Sequence, residues 1–364
     1  MSAELFAPGK VFLAGEYAVL DPGWPALVLA ADRGLRAALR EAPGLEVELV
    51  HAKSRAAVLG ELRAGLGISW ATPVPAELRF AAQAAQLAAR LCAEEARPSR
   101  GFSLTFLDEL AIDTPQGPLK LGLGGSACAS VLGARAAALS QGRDLQPREA
   151  LALAYAAHWA AQGGAGSGGD VAASALGGAL EVIGKGPWDS PQAVLAAPAR
   201  TLLQDPRVLA APFELPEKAR FLLAWSGAEA DTRALVREVR AFAAAQPARW
   251  AKHAEAIAFC AESLLAALRA ESEKTSLLAV RRAAVAMAAL GEEAGCAIVT
   301  PALARICAVA AEAGCAGKPS GAGGGDCAVI LCFGDEARSR AAAALSAEGI
   351  ACFPLSVGQP AATP

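Results

Sequence analysis

Charged and aromatic residues are scarce in this sequence of 364 residues, at 19% and 5%. With a formal net charge of −3, the chain offers no global attraction for nucleic acid or for an acidic membrane surface. No apolar run reaches the roughly 18 residues that a membrane helix needs, and the N-terminus lacks the basic region of a signal peptide. We therefore expect a cytoplasmic protein that binds neither nucleic acid nor membrane.

Paired cysteines and clustered histidines are also missing. The nine cysteines show no short paired spacings, and only three histidines are scattered along the chain. Neither a disulfide framework nor a zinc site is indicated. Cysteines in apolar helical runs, such as Cys92, Cys260 and Cys307, are most simply buried thiols.

Glycine, by contrast, is abundant, and one motif stands out at residues 122–127, Gly-Leu-Gly-Gly-Ser-Ala. Its three glycines let the backbone approach a ligand closely, and the alanine-rich run 127–139 predicts a helix that starts there. A helix that opens from a glycine loop is a common phosphate site. Ser126, at the junction, can cap the helix or touch a phosphate-bound Mg²⁺.

Three interpretations of this loop compete. A P-loop is excluded because no lysine follows Gly125. The dinucleotide pattern G-x-G-x-x-A is met, and Asp144 lies about 20 residues further on. However, Asp144 stands in a turn-like segment, and residues 114–118 make a poor first strand. From this stretch alone, a glycine-rich turn without a ligand stays open.

The periodicity along the chain predicts two domains, which the length also allows. In the first part, strand patterns alternate with helical patterns at 76–95 and 149–162. Residues 185–216 are rich in proline and weakly periodic, and we divide the chain into domains 1–200 and 201–364. The second part predicts a strand at 219–225 and helices at about 232–246, 249–271, 274–294 and 301–314. A strand at 327–333, a helix at 336–348 and a strand at 350–355 follow, which is an α+β arrangement.

Two further glycine clusters accompany the first. Residues 163–170 end in Asp170, and residues 318–326 begin with Lys318 and end in Asp326. A flexible linker is the alternative interpretation of residues 163–170. Close approach of backbone to a polyphosphate explains all the clusters together. Lys10 follows a Pro-Gly turn, and point positive charges of this kind are what phosphoryl transfer requires.

These segments resemble those of a known family. Residues 7–10 with 15–20, residues 122–127 and residues 321–327 are similar, in this order, to the three motifs of the GHMP kinases. The family includes galactokinase, homoserine kinase and mevalonate kinase. The resemblance implies an α+β fold of two domains: a ribosomal-protein-S5-like N-terminal domain and a ferredoxin-like C-terminal domain. It also implies a kinase that uses ATP and Mg²⁺.

Residues 14–23, residues 166–174 and the ending Gly-Asp-Cys at 325–327 are similar to the family members that act on 5-phosphomevalonate. The implied reaction moves the γ-phosphoryl group of ATP onto the phosphate of that substrate, in a monomer or homodimer. Mevalonate kinase and diphosphomevalonate decarboxylase are the nearest alternatives. A catalytically inactive ligand sensor and a nicotinamide dehydrogenase are the more distant ones.

The resemblance also implies site residues. Lys10 is the predicted transition-state cation, and Asp170 is predicted to hold it by an ion pair. The predicted nucleotide-binding residues are Lys120, Gly122, Leu123, Gly124, Gly125, Ser126 and Ala127. The predicted substrate-binding residues are Lys10, Glu16, Tyr17, Ser167, Asp170, Ser320, Gly321, Gly323, Gly324 and Asp326.

Ser126 is the predicted Mg²⁺ ligand. The carboxylate that the resemblance implies about eleven residues before Asp170 is absent, because Trp159 stands there beside His158. We expect His158 to be a packed helical residue. Arg233 and Lys185 are further candidates for binding the substrate phosphate.

Overall fold

The structure, a computed structural model, describes residues 2–107, 110–114 and 117–359. The strands are β1 (Ser2–Ala14), β2 (Pro25–Glu41), β3 (Glu46–His51), β4 (Ala56–Arg63), β5 (Gly67–Trp70), β6 (Phe102–Phe106), β7 (Ala111–Thr114), β8 (Gly117–Lys120), β9 (Ala179–Gly184), β10 (Val208–Pro212), β11 (Ala219–Trp225), β12 (Ala316–Pro319), β13 (Cys327–Phe333) and β14 (Cys352–Leu355). The helices are α1 (Arg79–Glu94), α2 (Gly125–Ser140), α3 (Pro147–Ala161), α4 (Gly169–Leu176), α5 (Pro191–Ala196), α6 (Ala199–Gln204), α7 (Thr232–Ala245), α8 (Pro247–Arg269), α9 (Glu273–Ala294), α10 (Pro301–Glu312) and α11 (Asp335–Ala347), with a short 3₁₀ helix at Ala18–Leu20.

Two sheets organise these elements. The first has the order β10-β9-β2-β6-β3-β4-β5, with β1 paired to β2, and the second has the order β12-β13-β11-β14. Strands β7 and β8 form a separate hairpin. Helices cover both sheets, so the predicted α+β class is confirmed.

The central strands β1 and β2 are buried on both faces. Because successive side chains of a strand point to opposite faces, Phe12 and Val28 face a core shared with α1 to α4. Val11, Leu13 and Leu29 face a second core, which the second sheet and helices α8 and α9 complete. These two strands therefore join the two halves of the chain.

Helix α2 is buried almost all round, as its nearly continuous small and apolar sequence predicts. It crosses α1 closely at Gly133, where an added Cβ would lie 2.4 Å from the carbonyl oxygen of Ala81. This crossing places the N-terminal end of α2, and the glycine loop before it, against the first sheet.

Several predicted elements differ from those observed. The short apolar runs at 4–7 and 10–14, which the Pro-Gly pair at 8–9 separates, predict two strands, but they form one strand, β1, with an irregular register between Pro8 and Lys10. Strands β4 and β5 were not predicted. Strand β10 pairs with β9 of the first sheet, which favours a boundary between β10 and β11, and the division at residue 200 stays a prediction. In the described ranges, no helix is long and apolar enough to cross a membrane.

Candidate active site

Lys10 lies where the three glycine segments meet. Its backbone N–H donates to the carbonyl oxygen of Leu123 at 2.8 Å, and its Nζ donates to that of Gly122 at 3.0 Å. A Cβ added to Gly124 would lie 3.1 Å from Cγ of Lys10, and one added to Gly321 would lie 3.3 Å from Nζ. The lysine stem is thus enclosed between the first and third loops.

The loop before α2 has the backbone that its glycines predict. Gly122 and Gly124 have φ angles of 67° and 82°, in the left-handed region that favours glycine. Helix α2 then begins at Gly125, so Ser126 and Ala127 lie in its first turn. The first N–H groups of a helix have no partner within the helix, and this turn is therefore suited to hold an anion.

The third loop is fixed by Asp326. Its Oδ1 accepts a hydrogen bond from the N–H of Ala230 at 3.2 Å, and its Oδ2 would lie 2.3 Å from a Cβ added to Gly122. Burial raises the pKa of the Asp326 carboxyl, although the Ala230 N–H and the Lys10 charge oppose the rise. The side chain connects the first and third loops.

A buried ion pair joins the first motif to the third. The ammonium of Lys318, which is fully buried, contacts Oε1 of Glu16, and the N–H of Gly321 donates to the same oxygen at 3.3 Å. The other oxygen, Oε2 of Glu16, is buried and has no hydrogen-bond partner within the described ranges. Glu16 lines a cavity, and this second oxygen is a buried acceptor within its wall.

Two further predicted residues hold the same loops together. The hydroxyl of Tyr17 donates to the carbonyl oxygen of Ala322 at 2.6 Å, and burial raises the pKa of this phenol. Oγ of Ser320 accepts a hydrogen bond from the N–H of Phe12 at 3.2 Å. Both side chains brace the walls of the site.

The second glycine cluster leads into α4. Gly168, with a φ of 77°, caps this helix, and Oγ of Ser167 accepts from the N–H of Gly169 at 3.3 Å. Asp170 lies in the first turn, and its Oδ1 accepts from the N–H of Val171 at 2.9 Å.

The predicted ion pair between Lys10 and Asp170 is absent from the described contacts. Nζ of Lys10 is engaged by Gly122, whereas Oδ2 of Asp170 lies 3.9 Å from Nε2 of His158. The two residues line one cavity. The predicted ion pair rested on the Pro-Gly-Lys and Gly-Gly-Asp contexts, which do not specify the rotamer of a long side chain, and the roles of the two residues stay predictions.

His158 has a larger part in the site than the sequence indicated. Its Nε2 lies 3.0 Å from Oγ of Ser126 and 3.2 Å from Nε2 of Gln162, in addition to the contact with Asp170. Burial lowers the pKa of this imidazole, the Asp170 carboxylate opposes the shift, and the charges of Arg233 and Arg79 reinforce it. The ring is therefore neutral at neutral pH. A signal was present, because His158 is next to the expected ligand position.

Two cavities open on either side of Gly122, which lines both. The first, the loop cavity, has a volume of about 530 Å³ and is lined by the loop residues 122–126 together with His51, Phe80 and Phe106. The second, the arginine cavity, has a volume of about 450 Å³. Its walls include Lys10, Glu16, Tyr17, Ser167, Asp170, Arg233, Arg237, Arg240, Ser320, Gly321, Gly323 and Asp326.

Some predicted residues lie elsewhere. Gly324 lines neither cavity and packs on Leu235, where an added Cβ would lie 2.5 Å from Cδ1. Lys185 is exposed and also lines neither cavity. The backbone of Lys120 ends β8, but its side chain is outside the described residues. No signal in the sequence singled out His51, Phe106 or Arg237.

Comparison with known protein families identifies the family to which this chain belongs. The family model for the GHMP kinases N terminal domain matches residues 81–178, and the model for the GHMP kinases C terminal domain matches residues 264–351. Together they cover more than half of the chain. The chain belongs to the GHMP kinase family.

Relatives of this GHMP kinase agree with that assignment. A protein of Streptomyces named phosphomevalonate kinase is 29% identical over 356 residues, which is 91% of this chain and 90% of the relative. The structure is similar to that of a Listeria innocua protein, with a TM-score of 0.88 and 23% identity over 100% of this chain and 99% of the other. It is also similar to Streptococcus pneumoniae phosphomevalonate kinase in complex with phosphomevalonate and AMPPNP, with a TM-score of 0.81 and 20% identity over 98% and 99%.

Proposed function

We propose that this GHMP kinase transfers the γ-phosphoryl group of ATP to the phosphate of 5-phosphomevalonate and forms the diphosphate. The observation that carries the proposal is the position of Lys10 beside Gly122, the residue at which the loop cavity and the arginine cavity meet. The 29% identical relative named phosphomevalonate kinase supports the choice of acceptor.

The loop cavity is suited to the nucleotide. Its glycine backbone and the first turn of α2 present N–H groups to phosphates, and Phe80 and Phe106 offer apolar surface for a base. We assign residues 122–127 to the phosphates of ATP, and Lys120 stays a predicted contact.

The arginine cavity is suited to a small dianionic or trianionic acceptor. Arg233, Arg237 and Arg240 are spaced along one face of α7, and arginine is the residue best shaped for carboxylate and phosphate. A substrate with a phosphate and a carboxylate satisfies this set.

The proposed reaction requires little covalent chemistry from the protein. A phosphate monoester has its second pKa near 6 and is largely dianionic at neutral pH, so no general base is needed. The ammonium of Lys10, fixed by Gly122, is placed to neutralise charge between donor and acceptor phosphates. His158, rather than the lysine, contacts the hydroxyl of Ser126 at 3.0 Å and lies 3.9 Å from the carboxylate of Asp170.

Mg²⁺ fits this arrangement only as an ion carried by the nucleotide. Among the residues that the structure describes, no three His, Cys, Asp or Glu side chains form a group that could hold a metal ion. The hydroxyl of Ser126 and the carboxylate of Asp170 are hard oxygen donors that lie 3.0 Å and 3.9 Å from Nε2 of His158, and Mg²⁺ commonly takes one or two such ligands beside phosphates and water. When bound, it would neutralise the charge of the β- and γ-phosphates.

An ADP-release assay with mevalonate, 5-phosphomevalonate and 5-diphosphomevalonate tests the function. We expect turnover with 5-phosphomevalonate alone and a diphosphate product detectable by ³¹P NMR. Preference for mevalonate would assign the chain to the mevalonate kinases, and no ADP release with any of the three would overturn the proposal. The cytoplasmic location and the monomeric or homodimeric state stay predictions.

Replacement of Lys10 tests the proposed mechanism in the same assay. Lys10→Met should lower kcat by about 10²–10³-fold, because it removes one preorganised charge from the transition state. Lys252→Met, at an exposed position of α8, is the matched control and should leave kcat unchanged. Equal turnover of the two variants would contradict the role of Lys10.

A further inference from the structure

His51 lies in the wall of the loop cavity, beside Phe106. It is the last residue of β3, and the register of the sheet pairs it with Phe106 of the parallel strand β6. Side chains at paired positions of neighbouring strands lie on the same face of a sheet, and both residues line the loop cavity. An imidazole therefore stands next to the aromatic surface that we assign to the base of ATP.

The turn after β3 determines which nitrogen of His51 carries the proton. The backbone N–H of Ser54 lies 3.2 Å from Nδ1 of His51. Because a backbone N–H can only donate, Nδ1 accepts this hydrogen bond and carries no proton, so the ring proton lies on Nε2. The turn is attached to β6, since the N–H of Ala52 donates to the carbonyl oxygen of Phe106 at 3.0 Å.

The hydroxyl of Ser54 adds a second hydrogen bond to the same nitrogen. Its Oγ lies 3.0 Å from Nδ1 of His51, to which it donates, and it accepts from the N–H of Ala56 at 3.4 Å. Two bonds from one turn thus fix the orientation of the imidazole. In the described ranges, Nε2 of His51 has no hydrogen-bond partner. This N–H is therefore an oriented donor that is available to a ligand.

We propose that His51 donates from Nε2 to a ring nitrogen of the nucleotide base and makes the loop cavity a site for adenine. The proposal rests on the kinase function proposed above. Adenine presents ring nitrogens that accept, and its exocyclic amino group donates. Glu77, which lines the same cavity, brings a carboxylate that accepts. A base that packs on Phe106 thus finds both a donor and an acceptor in the cavity.

Calorimetry on the full chain, without acceptor, tests this role with ATP and with inorganic tripolyphosphate, which lacks base and ribose. His51→Phe keeps a flat ring but removes the donor, and it should weaken ATP binding about three- to tenfold, as expected for one neutral hydrogen bond. Tripolyphosphate binding should change by less than about twofold. His253→Phe, at a histidine of α8 that lines neither cavity, is the matched control and should leave both affinities unchanged.

Analogues of ATP in which carbon replaces N1, N3 or N7 identify the accepting nitrogen. One of them should bind to the wild-type chain about three- to tenfold more weakly than ATP. His51→Phe should bind that analogue as tightly as the wild type does, because the hydrogen bond is already absent. His51→Gln, whose amide can donate, should recover part of the ATP affinity, which covers the case in which the phenylalanine variant does not fold.

Equal losses for ATP and tripolyphosphate, or no loss for either, would overturn the proposal. So would a loss in His51→Phe that is as large for all three analogues as for ATP. Because no acceptor is present, such a failure leaves the kinase function in place. ATP binding by the wild type without turnover of 5-phosphomevalonate would overturn only the choice of acceptor, and a complete lack of ATP binding would overturn both proposals.

Discussion

At the residue scale, the buried pair of Glu16 and Lys318 connects the first motif to the third. Both side chains are almost fully removed from solvent, and Lys318 lies on β12 whereas Glu16 follows β1. Removing one partner of such a pair leaves an uncompensated buried charge, which is far more costly than losing a surface pair.

Glu16→Gln should therefore lower the free energy of unfolding by about 3–5 kcal/mol in urea denaturation. Lys318→Met should cost a similar amount, and the double variant should cost less than the two single variants combined. Glu293→Gln, which breaks surface contacts with Arg249 and His253, is the control and should change stability little. Strict additivity of the two single variants would show that the residues do not act as a pair.

Asp326 gives a prediction that depends on pH. Burial raises its pKa above the ordinary value of 3.8. Its contribution to stability is therefore present below about pH 3.8 and is lost as the pH rises through the folded pKa. Asp326→Asn keeps an oxygen to accept from Ala230 and should raise Tm relative to wild type at pH 7, by an amount that shrinks towards pH 4.

Asp335 is the matched control, because its pKa is shifted in the opposite direction from that of Asp326. The guanidinium of Arg220 lowers the pKa of Asp335, so the stability that this carboxylate contributes is present at neutral pH and is lost as the pH falls through its folded pKa. Asp335→Asn should thus lower Tm at pH 7 or leave it unchanged. A lower Tm for Asp326→Asn at pH 7 would contradict the role of burial at that site.

At the element scale, the loop before α2 combines a backbone requirement with a contact. Gly124 and Gly142 both have positive φ angles, 82° and 73°, at the two ends of α2. A Cβ at Gly124 would meet the stem of Lys10 at 3.1 Å, whereas one at Gly142 would meet nothing within 4 Å. Alanine substitutions at the two positions therefore separate the loss of stability caused by a strained backbone from the loss of activity caused by contact with Lys10.

Gly124→Ala and Gly142→Ala should each lose about 1–2 kcal/mol of stability from left-handed strain. Only Gly124→Ala should also lower kcat/KM, by about 10²-fold, because it displaces Lys10, for which a role in phosphoryl transfer is proposed above. Steady-state kinetics and thermal melts of both variants check this. Similar kinetics for the two would mean that the contact with Lys10 is unimportant.

At the scale of the whole molecule, strands β1 and β2 join the N-terminal and C-terminal halves of the chain through a shared hydrophobic core. Leu29 of β2 and Leu223 of β11 are fully buried in the core that both sheets share. A core that spans both halves predicts one cooperative unfolding transition.

Leu29→Ala and Leu223→Ala should each destabilise the chain by about 2–5 kcal/mol and shift one common transition. Urea unfolding followed by tryptophan fluorescence and by far-ultraviolet circular dichroism should coincide for both. Leu59→Ala, at a side chain 58% exposed, is the control and should have little effect. Two separate transitions would show that the halves unfold independently.

The local pattern predicted much of the fold. Helices α7 to α11 and strands β11 and β13 lie within a few residues of the predicted limits, because their periodicity and turn residues are strong. Strands β4 and β5 were missed because their exposed outer faces leave only weak alternation. The pairing of β9 with β10, which bears on where the two domains divide, is not visible in composition.

The sequence by itself predicted the family, the three glycine loops and Lys10 as a site residue, because motif order and glycine positions are local properties of a chain. Only the tertiary structure decided which side chains face one another. It brought Lys10 to Gly122 instead of Asp170 and placed His158 within reach of both Ser126 and Asp170. Rotamers and contacts between distant segments follow from packing, and no short pattern in a sequence encodes them.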